Sequence, residues 1–104
     1  MFATIRRYES IDESRTGEIV KRVQEGLLPK LSELPGFCGY YVIEEGDRVL
    51  SSIGFFDTSA HADESTRVAS DWVRESKLET VLPMAPKVTT GEVLVHDLRE
   101  LVPA

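Results

Sequence analysis

The sequence predicts an α+β domain in which strands and helices follow one another as β, α, β, β, α, β. Three observations carry that reading. Residues 34–58, LPGFCGYYVIEEGDRVLSSIGFFDT, hold two β-branched and aromatic runs, Phe37 to Ile43 and Val49 to Phe56, on either side of a turn at Gly46-Asp47. Ahead of this hairpin, Ile19, Val20, Val23, Leu27, Leu28, Leu31 and Leu34 recur at spacings of one, three and four, which is the apolar stripe of a helix. A smaller stripe of Ala62, Ala69, Trp72 and Val73 follows it, and short strand-like runs open and close the chain.

The elements can be justified in order. Phe2 to Glu9 alternates, with Phe2, Thr4, Arg6 and Tyr8 on one face and Ala3, Ile5 and Arg7 on the other, as a strand does. Ser10 to Glu13, reading SIDE, has capping-box spacing, so a helix should follow, although Gly17 weakens its first turns. Pro29 cannot donate to the carbonyl of Glu25 and follows close behind Gly26. A kink or a restart is predicted there before Pro35-Gly36 ends the helix.

Thr58 or Ser59 caps the second helix, with Asp63 and Glu64 near the positive end of its dipole. Leu78, Val81, Leu82 and Met84 make a short extra turn, broken by Pro83 and Pro86. Val88 to His96 reads as the last strand and LRELVPA as a short tail. This order is the split βαβ arrangement called ferredoxin-like: right-handed crossovers put both helices on one face of a four-stranded antiparallel sheet. The hairpin runs are apolar on both faces, so the face opposite the helices needs a cover. A homodimer packed sheet to sheet is expected to supply it.

Composition narrows the function classes. At 104 residues the chain is one domain with one core. Its net charge of −6 and scattered Lys and Arg predict no nucleic-acid surface, because phosphate neutralisation needs clustered cations. No uncharged run is long enough for a membrane span and MFATIRRYES lacks a signal-peptide core, so no membrane association and a cytoplasmic location are expected. One cysteine, Cys38, allows no intramolecular disulfide or thiolate cluster. His61 and His96 have no metal-ligand spacing and no phosphate loop occurs, so no flavin, haem, metal or other cofactor is expected.

The element order, the segment LLPKLSELPGFCGYYVIEEGD and the Trp of the second helix resemble the antibiotic biosynthesis monooxygenase-like branch of the dimeric α/β barrels. The resemblance runs from Phe2 to His96. It implies a pocket between the sheet and the helices, open near the second helix, and a cofactor-independent monooxygenase acting on a small aromatic or apolar molecule. The chain departs from that pattern in having no Asn, whereas the oxygenase and haem-degrading sites pair the Trp with one. A non-catalytic dimeric ligand-binding or stress-associated module is the alternative.

Seven residues are candidates for such a pocket. Trp72 reads either as a pocket wall or as a core aromatic in phase with Ala69 and Val73. Tyr40 and Tyr41 point to opposite faces of one strand, so one of them faces the helices. Ser51, Ser52 and Gly54 are small residues inside a strand and leave room either for a cavity or for close approach of a neighbour. His96 is placed in the last strand, and Cys38 reads as a small buried hydrophobe rather than a nucleophile.

Overall fold

The computed structural model describes residues 1–97, so the tail read at 98–104 lies outside the described residues. Alternation along β1 (Phe2–Tyr8) sorts its side chains as the sequence predicts. Thr4, Arg6 and Tyr8 are buried, while Ile5 and Arg7 are exposed. β1 pairs antiparallel with β3 (Val49–Phe56) on one side and β4 (Lys87–Glu92) on the other. β2 (Phe37–Gly46) completes a sheet of order β2-β3-β1-β4. This is the ferredoxin-like order, antiparallel throughout.

The hairpin turn falls one residue later than its composition suggested. Asp47 and Arg48 hold the left-handed conformation (φ 51° and 61°), the pair of positive φ values that suits a two-residue hairpin turn. Gly46, with φ 83°, serves the irregularity that ends β2. Arg48 is fixed there by contacts made elsewhere. Its Nε donates to the Ile11 carbonyl at 2.9 Å, and its backbone N–H donates to the Glu13 carboxylate.

That last contact replaces the capping box read at Ser10 to Glu13. Ser10 lies in the left-handed region (φ 57°). Asp12 is the cap instead, accepting from the Ser14 N–H, and a 3₁₀ turn at Glu13–Arg15 leads into α1 (Thr16–Arg22). The strain foreseen at Pro29 is met by widening the helix. Val23–Leu27 forms a π-helical turn in which the Leu28 N–H donates to the Val23 carbonyl, five residues back, and α2 (Leu28–Ser32) continues with Pro29 in its first turn, where no N–H is needed.

α3 (Ser59–Glu75) is capped by Thr58, whose hydroxyl accepts from the His61 N–H at 3.1 Å. Lys77 ends the helix region with φ 56°, and a 3₁₀ turn (Leu78–Thr80) follows, with Leu78, Val81 and Leu82 buried. β4 stops at Glu92, short of the predicted His96. Glu92 pairs with Phe2, the first residue of β1, and the Val93 N–H donates to the Met1 carbonyl. Leu94 and Val95 are 85% and 88% exposed, and His96 lies outside the strand.

Ile19, Val23, Leu27 and Leu31 from the first helical segment meet Ala69 and Trp72 of α3 and Tyr8 and Leu50 of the sheet in one core. The opposite face carries Ile5, Tyr41, Ile43, Ile53 and Phe55, three of them exposed and two half-buried. No described helix is long and apolar enough to cross a membrane.

Candidate functional site

Strand register arranges the helix-facing side chains in rows: Tyr40, Gly54 and Thr4; then Val42, Ser52 and Arg6; then Glu44, Leu50 and Tyr8. Strands in such a row stand about 5 Å apart. The helices cover these rows unevenly. A cleft of about 280 Å³ opens between the first helical segment and the β2 side of the sheet. The helix contributes Thr16, Val20, Val23, Gln24 and Leu28, and the sheet contributes Tyr40, Val42, Glu44 and Leu50. Val23 and Gln24 belong to the π turn, a feature often found where a helix borders a functional site. The cleft is mostly apolar, with Thr16, Gln24, Tyr40 and Glu44 as its polar groups, and its size suits a small ligand.

A second concavity of about 200 Å³ lies between Ser70 and Val73 of α3 and the loop Leu82 to Pro86, with Tyr8 on its wall. Burial pushes the Tyr8 phenol above its ordinary pKa. The nearby Arg6 guanidinium pulls it down and Tyr40 pushes it up, so burial prevails. Arg6 itself is 1% exposed. Among the described residues, the buried side-chain nitrogens and oxygens without a hydrogen-bond partner are Arg6 Nη1, Arg6 Nη2 and Ser52 Oγ. All three belong to one cross-strand pair.

Of the seven residues singled out from sequence, Tyr40 lines the cleft and Ser52 stands behind Val42 in the next strand. Gly54 is closely surrounded: a Cβ there would lie 3.2 Å from Phe56 Cε2 and 3.6 Å from Thr4 Cγ2. Trp72 is 6% exposed in the core, and a Cβ on Gly26 would lie 2.8 Å from its Nε1. Tyr41 and Ser51 are on the opposite face. Tyr41 packs edge-on against Phe55 with ring centroids 6.1 Å apart, and with His96, Cys38, Gly39 and Met1 it borders a shallow concavity of about 130 Å³. Cys38 is exposed there, not buried as expected, because it points to the sheet face that the helices leave open. Ser51 donates to Glu45 Oε1 at 2.7 Å, and the same carboxylate accepts from Arg7. Sequence reasoning missed Arg6, Gln24 and Glu44. For Arg6 a signal was present, since it shares the face of Thr4 and Tyr8 in the middle of a strand.

The His61–Asp57 pair (2.6 Å) is exposed and lies apart from these concavities, against Gly36, whose φ of 78° and close approach leave no room for a side chain. Among the described residues no three His, Cys, Asp or Glu side chains lie close enough together to hold a metal ion.

No family model and no curated protein sequence matches the chain. Solved structures do. A monooxygenase from the ActVA-Orf6 gene of Streptomyces coelicolor, in complex with nanaomycin D, superposes with a TM-score of 0.73 at 15% identity over 95% of this chain and 92% of that one. A dimeric ferredoxin-like protein from an uncultured marine organism gives 0.62 at 13% identity, over 94% and 97% of the two chains. An antibiotic biosynthesis monooxygenase gives 0.65 at 15% identity, over 91% and 100%. The chain therefore shares the fold of these structures, monooxygenases among them.

Proposed function

We propose that the protein is a homodimer that binds a small aromatic molecule in the cleft beside the π turn and oxidises it with O₂, with no bound cofactor. The observation that carries this reading is the cleft itself: an apolar slot with a phenol, an amide and a carboxylate at its polar points. The shared fold with a monooxygenase that holds nanaomycin D supports it. In such chemistry an activated ring CH₂ loses a proton and the resulting carbanion passes electrons to O₂. A C–O bond forms, the O–O bond breaks and water leaves, so that R₂CH₂ + O₂ gives R₂C=O + H₂O. The chain's own part is to hold the ring, accept the proton and exclude water. Glu44 is the carboxylate of the lining and the proton acceptor in this scheme.

The second copy covers the open face. Ile5, Tyr41, Ile43, Ile53 and Phe55 form its apolar middle, and the Arg7–Glu45 and Lys87–Glu9 pairs lie at one end as a polar rim. A dimeric relative in fold supports this arrangement.

The test is oxidation of a hydroxylated anthrone by protein free of flavin and metal, following O₂ uptake and quinone formation. One O₂ per quinone is expected, and Glu44→Gln should slow turnover by about 100-fold or more. No turnover above a heat-denatured control overturns the catalytic reading. Glu44 is exposed at the cleft mouth, which favours the second reading, a ligand-binding module without catalysis. Saturable binding without O₂ uptake would establish that one.

A further inference from the structure

We propose that Arg6 and Ser52 form an anion site behind the floor of the cleft, so that its ligand carries a negatively charged oxygen, as a carboxylate or an ionised phenol. This rests on the cleft being the ligand site. Arg6 and Ser52 face each other across β1 and β3, and between them they hold the three buried, unpartnered polar atoms found among the described residues. A buried guanidinium is normally met by a carboxylate, because an uncompensated charge is costly away from water. Among the described residues no carboxylate is hydrogen-bonded to its Nη atoms. The buried residues of the first helical segment are Ile19, Val23, Leu27 and Leu31, and those of α3 are Ala62, Ser65, Ala69 and Trp72.

The titratable groups nearby are two phenols, Tyr8 on β1 and Tyr40 on β2, and burial holds Tyr8 in its neutral form. Glu44 is exposed at the cleft mouth, and Glu45 is engaged by Arg7 on the other face. A positive charge without a carboxylate as counter-charge, with the neutral Tyr8 phenol beside it and two unpartnered guanidinium nitrogens and a hydroxyl on one cross-strand pair, is a receptor for an anionic oxygen. It lies close to the cleft. Val42, next to Ser52 in the same row, and Leu50, the neighbour of Tyr8, both line the cleft wall. In the proposal, Val42 is the side chain that moves to let the ligand's anionic end reach the pair.

The test compares two probes of one shape, 2-naphthoate and 2-naphthylmethanol, by calorimetric titration at pH 7.5. Wild type should bind the anion at least about tenfold more tightly, the worth of a charged hydrogen bond. Arg6→Met should abolish that preference while keeping alcohol affinity within about twofold, and its unliganded denaturation midpoint should not fall, because an uncompensated buried charge has gone. Ser52→Ala should reduce the preference by about threefold or more and serves if Arg6→Met does not fold. Equal affinity of wild type for the two probes, or an unchanged preference in the Arg6 variant (in Ser52→Ala where that variant does not fold), overturns the proposal. Parallel loss of both probes in Arg6→Met marks Arg6 as a structural residue and overturns it too. Val23→Trp, which fills the cleft, separates the two readings. Equal binding that this variant blocks removes the anion site and leaves the cleft standing. No binding of either probe, or binding that Val23→Trp leaves intact, removes both.

Discussion

Replacing Gly26 with alanine should reverse its effect according to what stands at position 72. In a helix, alanine is favoured over glycine by about 1 kcal/mol. Against that, the new Cβ would lie 2.8 Å from Trp72 Nε1 and 3.4 Å from Cε2. The first contact is about 0.7 Å inside the roughly 3.5 Å at which such atoms rest. Trp72 is 6% exposed and has nowhere to turn, so the overlap should cost about 1–3 kcal/mol. The net effect in wild type is a destabilisation of about 1 kcal/mol, or about 4–8 °C in Tm. With Trp72→Leu as background the overlap is gone, and the same change should stabilise by up to about 1 kcal/mol. Urea denaturation of the four proteins gives the coupling directly, about 1–3 kcal/mol in size. A wild-type protein stabilised by Gly26→Ala, or a double variant whose effects simply add, would refute the proposed fit of the π turn against the indole.

Two further predictions follow from the same structure. Sedimentation at micromolar concentration should give twice the chain mass, with an interface above roughly 2,000 Å², and Ile5→Asp with Phe55→Asp should give the mass of one chain; a monomeric wild type ends the dimer reading. The Asp57 carboxyl is held below its ordinary value of 3.8 mainly by its hydrogen bond with His61, then by that ring's charge and the Thr58 backbone, with desolvation opposing. Its folded pKa being lower than the unfolded one, its contribution to stability is present above the unfolded value and is lost as pH falls below about 3.8 towards the folded value. Asp57→Asn should flatten that acid limb of the stability curve, and an unchanged limb would show that the pair contributes nothing.

Much of the fold was legible because local chemistry and tertiary structure agree in it. Ile19, Val23, Leu27 and Leu31 of the apolar stripe, the Thr58 cap and the phase of Thr4 and Tyr8 all reappear, whereas Val20 and Leu28 line the cleft instead of the core. The shifts come from long-range partners. Glu13 leaves the capping box because the Arg48 N–H needs an acceptor, and β4 ends at Glu92, opposite the first residue of β1. The conflict at Gly26 and Pro29 was visible, but its resolution as a π turn depends on Trp72, which is 46 residues away along the chain. The cleft was not legible, since it is set by the spacing between a helix and β2. Arg6 was, in principle. A guanidinium in phase with buried neighbours on a strand is expensive enough to stand out, but it was weighed only as one of the scattered Lys and Arg.

The hydroxyl of Thr4 is 0% exposed and is met from two distant places, by Thr66 on α3 at 3.3 Å and by Thr90 on β4, which donates to it at 3.1 Å. β1 is made before the other three described strands and sits inside the sheet, yet its neighbour β4 is the last of the four to be made. Until residues 87–92 emerge, β1 presents an open edge, and an interior oxygen at its centre lacks one of its two partners. The period of greatest exposure to edge-to-edge association therefore falls during synthesis, between completion of the hairpin and release of the final strand. A chain interrupted before Lys87 would remain in that state permanently.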